Sequence, residues 1–149
     1  MDATLFYKNI FLAEDDEDDT YIFEQALEEL YSEARLTASE NGKQLMDLLG
    51  RPPVPPPDII FLDLNMPLKN GYECLQEIRN GEQHNVPVIV LTTTGSEEDI
   101  EKVYKLGATH FIVKPNNFPE LKKVLKKVLS LNWNGILQQT KREQFVISA

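Results

Sequence analysis

The chain has 149 residues, of which 42% are hydrophobic, and its 15 basic and 24 acidic side chains give a formal net charge of −9. This length suits one domain with a sizeable core, and the acidic charge argues against nucleic acid as the main partner. The single cysteine, Cys74, excludes an internal disulfide and suits a reducing compartment. No stretch resembles a signal peptide or reaches transmembrane length, so we expect a cytoplasmic protein that binds no membrane.

Short apolar runs alternate with helical patterns along the whole chain. The predicted strands, in order, are residues 9–13, 35–39, 58–63, 86–92 and 108–113. The predicted helices are residues 20–30, 42–49, 70–79, 97–106 and 118–131, and a proline-rich loop covers residues 51–57.

Five repeats of strand then helix predict an α/β fold, a doubly wound five-stranded parallel sheet in a (βα)5 three-layer sandwich. The flavodoxin-like strand order 2-1-3-4-5 is expected because the polar second strand suits an edge of the sheet. We assign residues 1–132 to this domain. Residues 133–149 are interpreted as a C-terminal extension with no clear role in the sheet and no output domain.

Polar side chains stand where the strong predicted strands end. Glu14 and Asp15 follow the first strand, Asp63 ends the third, Thr92 ends the fourth and Lys114 follows the fifth. Because the carboxyl ends of parallel strands meet at the edge where open α/β sheets bind ligands, we expect these side chains to lie together. Three carboxylates repel one another unless a cation intervenes, and such oxygen ligands suit Mg²⁺. Asp63 could then act as a nucleophile in phosphoryl transfer.

Four motifs in this order resemble the receiver domain of two-component response regulators. They are Glu14-Asp15, Asp63-Leu64-Asn65-Met66-Pro67 with Gly71, Pro87-Val88-Ile89-Val90-Leu91-Thr92, and Phe111-Ile112-Val113-Lys114-Pro115. The resemblance covers about residues 8–131. More loosely, Thr92-Thr93-Thr94 and the C-terminal extension resemble stand-alone regulators that partner bacterial phytochromes.

The resemblance implies that Asp63 is the phosphoacceptor, which takes a phosphoryl group from a sensor histidine kinase or a phosphotransfer protein. It further implies that Asp15, Asp63 and the backbone carbonyl of Asn65 bind Mg²⁺, and that Glu14 acts indirectly through water. The protein would be a phosphorelay component and not an enzyme, apart from its own phosphotransfer and autodephosphorylation.

The resemblance also implies which side chains respond to phosphorylation. Lys114 pairs with a phosphoryl oxygen, Thr92 moves toward the phosphoryl group, and Phe111 follows it as an aromatic switch. The peptide bond between Lys114 and Pro115 is expected to be cis. The expected output is association through the face made by the fourth helix, fifth strand and fifth helix, and a homodimer is one form of it.

Three other interpretations compete with this one. A phosphatase of the haloacid dehalogenase type needs an aspartate where Asn65 stands, and a flavodoxin-like phosphate site would be repelled by the carboxylates after strand one. The third is a degenerate receiver that only docks partners, and the presence of Asp15, Asp63, Thr92 and Lys114 together speaks against it. Asp16 to Asp19 are interpreted mainly as a helix N-terminus, so that only Glu14 and Asp15 of the acidic run belong to the site.

Overall fold

Five parallel strands form one sheet in the order β2-β1-β3-β4-β5. The computed structural model describes residues 7–51, 55–81, 85–93, 95–131 and 140–149. The strands are β1 (Asn9–Ala13), β2 (Arg35–Ser39), β3 (Ile59–Leu62), β4 (Val88–Thr92) and β5 (His110–Val113). The helices are α1 (Glu17–Leu30), α2 (Gly42–Leu49), α3 (Gly71–Asn80), α4 (Glu97–Lys105), α5 (Phe118–Leu129) and α6 (Arg142–Phe145). The predicted fold class and strand order are confirmed, and no helix within these ranges has the length and apolar character to cross a membrane.

Alternate residues of the central strands feed two hydrophobic layers. Ile60 and Leu62 of β3 lie in the layer shared with α2, α3 and α4, whereas Ile59 and Phe61 lie in the layer shared with α1 and α5. All four side chains are fully buried. A parallel strand covered on both faces is expected to be apolar throughout, which is why this short run was recognisable in the sequence.

Helix α1 begins earlier than predicted because its N-terminus is capped by an aspartate. The Asp16 side chain accepts hydrogen bonds from the backbone N–H groups of Asp18 and Asp19, so the helix begins at Glu17. The spacing of apolar residues predicts a start at residue 20 instead. Three acidic residues consequently lie in the first helical turn, where the helix dipole favours negative charge.

The end of the chain returns to the sheet, which corrects the prediction that residues 133–149 have no clear role there. Val146 forms a parallel bridge with Phe111 of the edge strand β5, and Phe145 is fully buried. Residues 140–149 are called the C-terminal strap below. The first part of the predicted extension, residues 133–139, lies outside the described residues.

Candidate functional site

The sheet brings the predicted carboxylates to one edge. Leu62 is in register with Ala13 of β1 and with Val90 of β4, so the next residue, Asp63, emerges between the ends of these strands. Glu14, Asp15 and Asp63 each offer a carboxylate oxygen, and these oxygens lie within 4.8 Å of one another. Glu14 and Asp63 are buried, whereas Asp15 is exposed.

Lys114 reaches the same cluster from the end of β5. Its Nζ forms an ion pair with Glu14, lies 2.9 Å from Oδ2 of Asp19, and lies 4.0 Å from Oδ2 of Asp63. The sequence predicts that Asp16 to Asp19 are mainly a helix N-terminus outside the site, and the contact of Asp19 with Lys114 corrects this for Asp19. The early start of α1 explains the contact, because it places Asp19 in the first turn beside the sheet edge.

The peptide bond between Lys114 and Pro115 is not cis, contrary to the expectation from the resemblance. The trans form is the more stable one for an isolated X–Pro bond, by about 0.5–1 kcal/mol. The ion pairs of Lys114 with Glu14 and Asp19 form with this trans bond.

Burial and neighbouring charges shift the pKa values of the Glu14–Lys114 pair. Burial raises the pKa of Glu14 to about 7, with the Asp63 carboxylate adding to the rise and the hydrogen bond from Lys114 opposing it. Burial lowers the pKa of Lys114, but the hydrogen bonds to Glu14 and Asp19 outweigh it and the net shift is upward. The upward shift of the Lys114 pKa keeps this side chain a cation at neutral pH.

Thr92 carries a buried hydroxyl that makes no hydrogen bond with the described residues. The residue is fully buried, and its Oγ1 has no hydrogen-bond partner among the described residues. Its backbone carbonyl accepts from the N–H of Lys114 at 2.8 Å, which ties the end of β4 to the end of β5. A buried hydroxyl without a partner costs free energy, so this position suits a ligand oxygen that arrives later.

In the loop after Asp63, the backbone of Gly71 packs closely against the backbone of Asp63. A Cβ atom on Gly71 would lie 2.4 Å from the carbonyl oxygen of Asp63, so only glycine permits this approach. The N–H of Gly71 donates to the carbonyl of Leu64 at 3.0 Å. Asn65 is exposed in this loop, and its backbone N lies 3.4 Å from Oδ1 of Asp63.

Phe111, the predicted aromatic switch, contacts the C-terminal strap. It is fully buried one position before Ile112 on β5, and its ring centroid lies 6.4 Å from that of Phe145 in the strap. Sequence reasoning missed this contact. The available signal was the apolar run Phe145-Val146-Ile147 within a polar tail, which suits a short edge strand.

The donor set fits a hard divalent cation. Glu14, Asp15 and Asp63 offer only carboxylate oxygens, and no histidine or thiolate joins the cluster among the described residues. Oxygen ligands of this kind select Mg²⁺, Ca²⁺ or Mn²⁺ over softer metals. The predicted ligand roles of Asp15 and Asp63 are compatible with this geometry.

A groove opens beside Lys114 between α1 and α5. It has a volume of about 290 Å³, and its lining includes Ile22, Phe118 and Leu121. Ile22 of α1 is an exposed large apolar side chain within this lining. The arrangement offers an apolar surface adjacent to a charged site.

Comparisons with known proteins place the chain among signalling proteins. Residues 10–126 match the response regulator receiver domain family. The response regulator Rcp1 from Synechocystis sp. is 32% identical over 128 residues, which cover 83% of this chain and 87% of Rcp1.

Two solved structures have the same fold as this chain. The phosphorylated cyanobacterial phytochrome response regulator RcpA superimposes with a TM-score of 0.76 at 32% identity, over 82% of this chain and 91% of RcpA. The Mn²⁺-bound form of Rcp1 superimposes with a TM-score of 0.75 at 29% identity, over 90% of this chain and 99% of Rcp1.

Proposed function

Because this chain belongs to the response regulator receiver domain family, we propose that it is a cytoplasmic response regulator of a phosphorelay that accepts a phosphoryl group on Asp63. In this proposal residues 1–132 form the receiver and residues 133–149 an extension. The observation that carries it is the cluster of Glu14, Asp15 and Asp63 oxygens within 4.8 Å of one another, with Lys114 Nζ 4.0 Å from Asp63.

In the proposed reaction an oxygen of the Asp63 carboxylate attacks the phosphorus of a phosphohistidine. A P–O bond forms while the P–N bond breaks, and the imidazole nitrogen leaves with that electron pair and takes up a proton. The product is an acyl phosphate. The hydroxyl of Thr92 and the ammonium of Lys114 donate hydrogen bonds to the phosphoryl oxygens, and the buried Thr92 hydroxyl thereby gains a partner.

Mg²⁺ is the cofactor we propose, held by Asp15, Asp63 and the backbone carbonyl of Asn65, with Glu14 acting through water. When bound, it reduces the repulsion between these carboxylates and an incoming phosphoryl group. The Mn²⁺-bound Rcp1 structure supports a divalent cation in this fold. Lys114 Nζ lies 4.0 Å from Oδ2 of Asp63, so a phosphoryl group on Asp63 would come within reach of this ammonium.

The phosphoryl donor is a sensor histidine kinase or a phosphotransfer protein, and its docking surface is the apolar edge of the groove. Ile22 is 40% exposed on α1 and lines the same groove as Lys114. Ile22→Asp is therefore expected to slow transfer from a kinase while leaving labelling by acetyl phosphate unchanged. The description of RcpA as a phytochrome response regulator supports a phytochrome-type kinase as the donor.

The proposed output is phosphorylation-dependent association through the face of α4, β5 and α5, with a homodimer as its form. Thr92 is in register with Val113 of β5, and Phe111 lies on the same strand, so changes at the phosphoryl site have a short path to this face. Light scattering with and without beryllofluoride, a phosphoryl mimic, measures this output.

Intact-mass analysis after incubation with acetyl phosphate tests the proposed chemistry. With Mg²⁺ the protein is expected to gain one phosphoryl group that is lost in alkali, and with excess chelator it is expected to gain little. Asp63→Asn has nearly the same size and lacks the nucleophile, so it is the matched control. Uptake by Asp63→Asn at the rate of the unchanged protein, or uptake that ignores the chelator, contradicts the proposal.

A further inference from the structure

The C-terminal strap, residues 140–149, contacts α4 through ion pairs of one arginine. Arg142 places Nη2 2.5 Å from Oε1 of Glu97 and Nε 2.5 Å from Oε1 of Glu101, so a single side chain spans two carboxylates of that helix. The hydroxyl of Tyr104 donates to the carbonyl of Thr140 at 2.8 Å. The strap thus begins against α4, where the positive charge of Arg142 lies next to the negative charges of Glu97 and Glu101.

From α4 the strap continues across β5 to α5. Val146 bridges Phe111, and the N–H of Ile147 donates to the carbonyl of Phe111 at 2.9 Å. Lys127 of α5 donates to the carbonyl of Ser148 at 2.6 Å. The strap therefore crosses all three elements of the face through which association is proposed.

Phe145 anchors the strap in the protein core. The side chain is fully buried and meets the ring of Tyr104 edge-on, with centroids 4.9 Å apart. Nδ1 of His110 lies 3.1 Å from the carbonyl oxygen of Phe145. An aromatic side chain buried to this extent excludes any other occupant of the same space.

The strap has little structure of its own to resist detachment. Helix α6 has four residues, from Arg142 to Phe145, and no side chain caps its N-terminus. A helix this short is not stable alone, so its conformation depends on the contacts just described. The pairing with β5 is an isolated bridge between Val146 and Phe111, not a continuous ladder. Such a segment can open locally while the sheet stays intact.

Detachment would leave a surface suited to a second copy of the chain. It would uncover Tyr104, Phe111 and the edge of β5 next to Val113, which is already 43% exposed. Unpaired strand edges and apolar patches of this kind promote pairing with another chain.

The charges on the two flanking helices also favour a second copy. The first turn of α4 is acidic, with Glu97, Glu98 and Asp99, whereas exposed lysines stand on α5, at Lys123 and Lys126. A twofold arrangement that sets α4 of one copy against α5 of the other pairs opposite charges twice.

We propose that the C-terminal strap is a reversible cover that competes with a second copy of this chain for the α4–β5–α5 face. Self-association then requires the strap to leave, and any condition that loosens the strap favours the dimer. The proposal rests on the proposed function for the choice of this face as the output surface.

Two full-length variants, studied without a phosphodonor, test the cover. Arg142→Glu reverses the charge that faces Glu97 and Glu101, and Phe145→Ala removes the anchor. Hydrogen exchange should show the Ile147 amide exchanging at least about tenfold faster in both variants. Light scattering should show dimers at protein concentrations about tenfold lower than for the unchanged chain.

Two further variants control for charge and for damage to the fold. Lys141→Glu makes the same charge change at an exposed position of the strap and should alter neither readout. Combining Arg142→Glu with Glu97→Arg and Glu101→Arg restores opposite charges across the contact. This combined variant should return the Ile147 exchange rate to the level of the unchanged chain. Only exchange is compared for it, because Glu97 belongs to the acidic side of α4 that a second copy would meet.

Three results would overturn the proposal. The first is an Ile147 amide that exchanges without protection in the unchanged chain, because the strap would not be seated. The second is faster Ile147 exchange in the variants with no gain in association. The third is weaker association of Phe145→Ala, because the strap itself would then join two copies. Phosphoryl uptake from acetyl phosphate is measured on separate aliquots of each variant, so failure of uptake at Asp63 is distinguishable from failure of the cover.

Discussion

Thr92→Val should stabilise the unphosphorylated protein although it removes a group that the proposed function requires. The Thr92 hydroxyl is fully buried without a partner among the described residues, and such a group costs about 1–3 kcal/mol. Valine has nearly the same shape and replaces the hydroxyl by a methyl group. We expect a gain of about 1 kcal/mol, which raises Tm by about 2–4 °C for a domain of this size.

Thr109→Val is the matched control, because it makes the same change at a buried hydroxyl that is fully used. Oγ1 of Thr109 accepts from the N–H of Val88 at 3.0 Å and lies 3.4 Å from Nη2 of Arg79. Removing it leaves the buried N–H of Val88 without this acceptor, which should cost about 1–3 kcal/mol. The two identical substitutions are therefore expected to change stability in opposite directions.

Urea and thermal unfolding in the presence of a chelator measure both variants. Phosphoryl uptake and the association response to beryllofluoride are measured in parallel, and Thr92→Val should lose most of the association response. A fall in Tm for Thr92→Val as large as that for Thr109→Val would refute the reasoning, because the Thr92 hydroxyl would then be satisfied before phosphorylation.

Three further predictions concern the charged groups. Asp15→Ala should weaken Mg²⁺ binding far more than Asp18→Ala in a metal titration, because Asp15 belongs to the carboxylate cluster and Asp18 lies in the first turn of α1; equal losses would indicate diffuse binding. With excess chelator, Asp63→Asn should raise Tm slightly, since repulsion by Glu14 and Asp15 is only partly offset by Lys114 at 4.0 Å; a lower Tm counts against a crowded acidic pocket. Burial lowers the pKa of His110, so as the pH falls the imidazole is protonated in the unfolded chain before it is protonated in the folded protein. The free energy of unfolding should therefore fall as the pH drops below about 6.5. NMR titration of the imidazole in the folded protein should show a midpoint below that of an unfolded peptide.

Most of the sheet could be predicted because its strands are short and buried on both faces. The run from Ile59 to Leu62 is apolar throughout, and a strand of this kind in a parallel sheet presents its next residue at the carboxyl edge. The convergence of Glu14, Asp63 and Lys114 follows from that rule and from the strand order alone.

The features that the sequence did not reveal depend on capping and on distant contacts. Asp16 caps α1, so the helix begins early and Asp19 lies close to Lys114. Any aspartate in this acidic run could serve as the cap, so the sequence does not indicate which one does. Phe145 packs near Phe111, which lies far from it along the chain. A short apolar run in a polar tail indicates that the run is buried but not which residues it contacts. The unused hydroxyl of Thr92 could be recognised only after its neighbours were in place.

The central claim is that Asp63 carries the phosphoryl group, and mapping that group tests it most directly. Borohydride reduction converts an aspartyl phosphate to homoserine, and tandem mass spectrometry then locates the changed residue in the protein labelled with acetyl phosphate and Mg²⁺. Homoserine is expected at Asp63 alone and only when Mg²⁺ is present. Homoserine at Asp15 or Asp19 instead, or no homoserine in a protein that binds Mg²⁺, would contradict the account.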